Sequence, residues 1–198
     1  MLNALRGTNP TTPITHAGLM LIGTPITGVT GEETDDTFTK TAHGLTNGDL
    51  VVLTAITGGG SVFKAGNAGN ADGLAEPLYV VAAAANTFQL SRLSGGAAVT
   101  FTVDITAVTV TELTEISGGS PAYARKAIAY NAPVGGIMDD STNGAIFDVP
   151  AGAIVDYISY HSAVSAGTLN GIDKVTQETF AAQGTYTVTD SDLDLLSA

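Results

Sequence analysis

The stretch HGLTNGDLVVLTAITGGG, residues 43–60, decides the fold. Its centre, DLVVLTAI, is an apolar and β-branched run too short for a helix of about ten residues or more, and turn residues bound it on both sides. Asn47 and Gly48 form a pair that tolerates positive φ and reads as a tight hairpin turn. The run is therefore a buried strand. His43 and Gly44 read as strand-entry residues rather than as a catalytic imidazole with a flexible neighbour, and the closing glycines as a loop on the far side.

The same grammar extends outward. From Thr37 to Ser117 the segments TFTKTA, DLVVLTAI, PLYVVAAAA, TFQLSR and AVTFTVDITAVTVTELT read as short strands between turns. In the last of them Val99, Phe101, Val103 and Ile105 alternate with polar residues, the period of two expected of a strand with one buried face. Upstream, THAGLMLIG (15–23) reads as a strand too apolar for a sheet edge, and TPITGVTGEETDD (24–36) as a turn-rich connection. LNALR (2–6) is a short helix candidate, stopped by Gly7 and barred from continuing by Pro10 and Pro13. A second group of strands follows residue 118, where Tyr186 and Val188 alternate, as do Leu193 and Leu195. Many short strands at this spacing predict an antiparallel sandwich or barrel.

Composition removes several classes of function. The chain has 198 residues and no cysteine, so neither disulfides nor thiolate chemistry contributes. Seven Lys and Arg are scattered against 19 Asp and Glu, a net charge of −12, whereas nucleic-acid binding needs clustered cations. No nucleic-acid partner is expected. Charged residues make up 13% of the chain and the mean hydropathy is +0.26, which fits a packed fold better than a charged disordered one. No run approaches the roughly 20 apolar residues that cross a bilayer, so no membrane partner is expected, and the N-terminal stretch does not read as a signal peptide.

Candidate chemistry is sparse. His16, His43 and His161 are far apart in sequence, and none has a second ligand at helical spacing. The serines of GGGSV and SGGSP are loop serines without a nucleophile-elbow motif. Acidic groups at 32–36, 139–140 and 190–194 offer carboxylates for glycoside hydrolysis, but turn carboxylates ordinarily bond their own backbone. GNAGNADGL (66–74) and Asp190, Asp192 and Asp194 offer oxygens for calcium without a repeated ligand motif. Tyr123, Tyr130, Tyr157 and Tyr160 are candidates for stacking on a host glycan. No residue is assigned a catalytic, cofactor-binding or metal-binding role, and no cofactor is expected.

Two resemblances organise these segments. HGLTNGDLVVL (43–53), LYVV (78–81) and NTFQLSR (86–92) together resemble a small β-barrel module inserted in bacteriophage virion proteins, similar to the first catalytic-cysteine half-domain of ubiquitin-activating enzymes. The likeness implies no chemistry. YARKAIAYNAP (123–133), AIFDVPAG (145–152), IVDYISYHSAVSAGTLNG (154–171) and QGTYTVTDSDLDL (183–195) resemble the small tail-fibre-like or minor structural proteins of tailed phages, in which a Y-x-R segment precedes apolar strands. The resemblance implies an all-β protein. Its expected parts are an antiparallel, jelly-roll-like sandwich body from residues 1–24 and 118–198, a short N-terminal helix, and a small barrel inserted at 25–117.

The implied function is non-enzymatic: a virion structural protein on the particle surface, assembled in the host cytoplasm, as a capsid decoration or head-fibre protein. The alternatives are a tail-fibre-like or minor tail protein and a host-glycan-binding adhesin. Partners would be the major capsid protein or tail proteins and copies of the same chain, with a trimer as the candidate homo-oligomer.

Overall fold

The computed structural model describes residues 14–58, 77–130, 137–138, 144–189 and 193–194. Among these residues the chain is all-β and contains no helix. The expected helix at 2–6 lies outside them, as do the glycine-rich segment 66–74 and the acidic residues 139–140, 190 and 192. The chain divides into two compact units, residues 23–114 and residues 1–22 with 115–198.

The first unit is a closed barrel of six antiparallel strands: β2 (Ile26–Glu32), β3 (Thr37–Thr39), β4 (Leu50–Gly58), β5 (Leu78–Val81), β6 (Thr87–Ser91) and β7 (Ile105–Glu115). Neighbours run β7-β2-β3-β6-β5-β4, and β4 returns to β7 from Leu50 opposite Leu113 to Gly58 opposite Ile105. Closure leaves no free sheet edge to template association with another chain. Small barrels fill their interiors with side chains, and here Val29, Phe38, Val51, Leu53, Leu78, Val80, Phe88, Leu90, Phe101, Ile105, Val108 and Val110 are all buried in one cluster. Phe38 and Phe88 face each other across β3 and β6 with ring centroids 5.3 Å apart.

Three local expectations are corrected. Residues 24–36 are not merely a connection: Ile26–Glu32 is a barrel strand, with Val29 fully buried, because β7 supplies its backbone partners from Ile105 to Val110. The alternation through Val99 and Phe101 does not make a strand, since β7 starts only at Ile105 and Val103 is exposed. Val99 and Phe101 are instead fixed one at a time. The Val99 N–H donates to the Leu90 carbonyl, and the Phe101 N–H to Asp36 Oδ1. Finally, residues 43–49 do not enter a strand. Thr46–Asp49 is a turn docked against β5, where the Gly48 N–H donates to the Val80 carbonyl and Asn47 Oδ1 accepts from the Ala83 N–H.

The second unit holds β1 (His16–Ile22), β8 (Lys126–Ala127), β9 (Ile137–Met138), β10 (Ala145–Val149), β11 (Ile154–His161), β12 (Leu169–Thr179), β13 (Gly184–Val188) and β14 (Leu193–Asp194). β11 lies between β12 and β1, β8 pairs with the start of β1, and β10–β13 and β9–β14 form two further antiparallel pairs. On the β1–β11 pair, Ala17 and Leu19 lie opposite Tyr160 and Ile158 and share one buried cluster with Phe147 and Val149 of β10 and Tyr186 and Val188 of β13. The other face of the same pair carries His16 opposite His161 and Gly18 opposite Ser159. Alternation thus puts Ala17 and Leu19 on one face and His16, Gly18 and Met20 on the other, so that polar groups gather on the second face at the His16 end.

β4 closes on β7 through a bulge, with Ala55 at φ 52° where the register shifts between Thr54 and Thr57, and Gly58 at φ 90° at its end. A Cβ at Gly58 would run into the Asp104 carbonyl oxygen. Gly58→Ala is expected to destabilise the barrel by about 3 kcal/mol or more, through left-handed strain and a backbone clash. Ala82 also has positive φ, at 50°, in the β5–β6 connection. Ala82→Gly is expected to stabilise by about 0.5–1 kcal/mol, since glycine holds that conformation without Cβ strain. Urea unfolding of each variant against the parent chain checks both signs.

Candidate functional site

The three histidines have different surroundings. His43, in the barrel unit, accepts a hydrogen bond at Nδ1 from the Leu45 N–H at 3.0 Å, which leaves the ring proton on Nε2, donated to the Ala84 carbonyl at 2.9 Å. Its ring packs on Phe88, with centroids 4.9 Å apart. Both nitrogens serve the backbone, so His43 ties the 43–45 segment to the β5–β6 connection. His16 and His161 are distant in sequence yet directly opposite across β1 and β11, a pairing that sequence spacing did not reveal.

That pair lies beside a polar cluster built on Glu115, Tyr123, Arg125 and Ser159. Arg125 donates from Nε to Glu115 Oε1 at 2.7 Å and from Nη2 to Glu115 Oε2 at 2.6 Å, the bidentate fork geometry that suits arginine. Its Nη1 donates to the carbonyls of Ala163 at 3.0 Å and Ala166 at 2.6 Å. Tyr123 stacks its ring near Phe147, accepts from the Leu19 N–H at 2.7 Å and donates to Glu115 Oε1 at 3.3 Å. Ser159 Oγ stands 2.9 Å from His161 Nε2. Thr15 Oγ1 stands 2.8 Å from His16 Nδ1.

Electrostatics follow from this packing. Burial by itself pushes the Glu115 carboxyl up, but the Arg125 hydrogen bonds and charge, with the Tyr123 hydroxyl, hold it below the ordinary range. Burial pushes the Tyr123 hydroxyl up. Burial, then the Arg125 charge, brings the His161 imidazole down to about 4, against the pull of Glu115. The ring is therefore neutral at pH 7.

Ser159 and His161 are at the separation of a nucleophile and its base, yet Ser159 is 0% exposed and His161 4%. Both Glu115 oxygens are engaged by Arg125, and among the described residues His161 Nδ1 has no hydrogen-bond partner. Among the described residues no carboxylate hydrogen-bonds that imidazole, and the serine is buried. The cluster acts as a brace within the second unit: one guanidinium links Glu115, the segment before β8 and the turn after β11.

The remaining candidates resolve individually. Of the acidic group at 32–36, Asp35 Oδ1 accepts from the Thr37 N–H and Asp36 Oδ1 from the Phe101 N–H, so these carboxylates hold their own turns and neighbours. Tyr157 and Tyr160 are buried, on opposite faces of β11, and do not offer the stacking surface considered from sequence. Lys174 Nζ sits 5.0 Å from the Tyr157 ring centroid and 2.8 Å from Asp156 Oδ2, a buried carboxylate with a solvent-reaching partner. Among the described residues no three His, Asp or Glu side chains are grouped to hold a metal ion.

Gly18 lies under the cluster. A Cβ there would stand 2.8 Å from Ser159 Oγ, 2.9 Å from the Tyr123 hydroxyl oxygen and 3.0 Å from Glu115 Oε1. Gly18→Ala is expected to cost about 1–3 kcal/mol by overpacking. Arg125→Ala, which strands a half-buried carboxylate, is expected to cost about 3 kcal/mol, and much less on a Glu115→Ala background. A double-mutant cycle by urea unfolding measures the coupling. In comparisons with protein-family models, with curated proteins and with solved structures, nothing matches this chain.

Proposed function

We propose that the chain is a non-enzymatic structural protein of a tailed-phage virion, displayed on the particle surface as a capsid decoration or head-fibre protein. The observation that carries this reading is the insertion of a self-contained barrel into a β body. The strands by which the chain enters and leaves the barrel, β2 and β7, are hydrogen-bonded neighbours, as Ile26 opposite Val110 shows. A module whose two ends meet can be spliced into a host fold without disturbing it. This supports the likeness of residues 43–92 to the inserted barrel of virion proteins and of the flanks to small tail-fibre-like proteins.

In this reading the body is a two-layer, jelly-roll-like sandwich, with β10–β13 facing the β1–β11 pair. The support is the single apolar cluster to which Leu19, Ile158 and Tyr160 contribute from one pair and Phe147, Val149, Tyr186 and Val188 from the other. The net charge of −12 suits an outward face that stays soluble at high copy number. Repeated display favours closed symmetry, with a trimer as the candidate homo-oligomer.

Immunogold labelling of purified particles, with antibody raised against this chain, tests the assignment. Label on the capsid is the expected result. Label on the tail moves the protein to the tail-fibre or minor tail class, and particles without label and without its peptides in mass spectrometry overturn the virion reading. Analytical ultracentrifugation is expected to give a mass above the 19.9 kDa of one chain; a monomer at high concentration removes the homo-oligomer.

A further inference from the structure

The arrangement around His161 makes its protonation state a structural variable. One ring nitrogen is committed to Ser159 Oγ at 2.9 Å, and the other, Nδ1, is buried without a hydrogen-bond partner among the described residues. A neutral imidazole tolerates this, because one of its nitrogens is a bare lone pair. An imidazolium carries an N–H on both nitrogens, and the second would be a buried charged donor with no acceptor. The charged and titratable groups around His161 among the described residues are Arg125, Glu115 and His16, with Tyr123 beside Glu115. The single carboxylate among them already forms both arms of its fork with Arg125.

The position of His161 turns this local conflict into a larger one. It ends β11, its carbonyl accepts the Thr15 N–H, and it precedes the 162–168 turn, which Ser162 and Thr168 close on each other. The same turn is held to the body by the Arg125 bonds to the Ala163 and Ala166 carbonyls. A proton on His161 adds positive charge beside the guanidinium that holds the turn, at the point where β1, β8 and β11 meet.

We propose that His161 and Arg125 form an acid-sensitive latch: a proton taken up by His161 opens the end of the β1–β11 pair and releases the 162–168 turn. The sign follows from linkage. Burial holds the His161 ring down at about 4 in the folded chain, so the opened form binds the proton more tightly. Protection of the corner is complete above about pH 6.5, the ordinary value for histidine, and is lost as pH falls toward 4. Glu115, held low, begins to lose its charge only below the ordinary carboxylate range, so the upper part of this window belongs to His161.

Hydrogen exchange of the full chain, corrected for the intrinsic pH dependence of exchange, tests the latch. Between pH 7 and pH 4.5 the opening of segments 14–20 and 156–168 is expected to rise on the order of 50-fold, while the β4–β7 barrel strands change little. His161→Gln, which keeps a donor for Ser159 but takes up no proton, is expected to abolish the rise. An unchanged corner, a rise equal in barrel and body, or the same rise in the variant overturns the proposal. Should that variant not fold, an NMR titration of the parent chain decides. A His161 ring neutral down to about pH 4 supports the latch, and one titrating near pH 6.5 refutes it.

Discussion

The pairing of β4 with β7 is the interaction on which the barrel depends. Without it the six strands are an open curl with two edges, and Val51, Leu53, Val108 and Val110 have no common interior to fill. Closing a sheet requires a bend as well as hydrogen bonds. Ala55 and Gly58 provide the bend by taking positive φ beside the register shifts, at a conformational cost that apolar burial offsets.

The body solves a different problem. One face of the β1–β11 pair packs into the apolar cluster and the other carries a polar cluster around His161, and polar groups in a buried setting must find partners. Arg125 meets most of that requirement, with two bonds to Glu115 and two to the turn carbonyls. A buried ion pair adds little net stability compared with an apolar pair of the same shape, but removing one partner is expensive. Its contribution lies in geometry: it fixes where the turn after β11 sits and how closely Tyr123 and Ser159 approach Gly18. The bare nitrogen of His161 is where this satisfaction stops, which makes the corner responsive to acid.

Much of the fold was legible because apolar runs and turn residues are local signals. The runs LVVL, LYVV and TFQLS are β4, β5 and β6, with Phe88 and Leu90 turned inward. The misreadings share a cause. Val99 to Ile105 alternates as a strand should, but a strand also needs a neighbour, and Val99 and Phe101 meet single backbone and side-chain partners instead. ITGVTGE reads as turn because of its glycines, yet β7 and β3 flank it and make it a strand. The Y-x-R segment was visible as a pattern, while its target, Glu115, and the opposition of His16 and His161 depend on a register that no spacing rule encodes.

The sequence by itself determined the all-β class and the burial of the LVVL run and of Phe88 and Leu90, since each follows from residue type and period alone. Only the tertiary structure decided that the barrel closes, that two histidines from opposite ends of the chain face each other, and that one arginine serves three segments. Those outcomes depend on contacts between residues tens of positions apart. Their energies depend on burial, and burial is a property of the packed molecule rather than of any stretch within it.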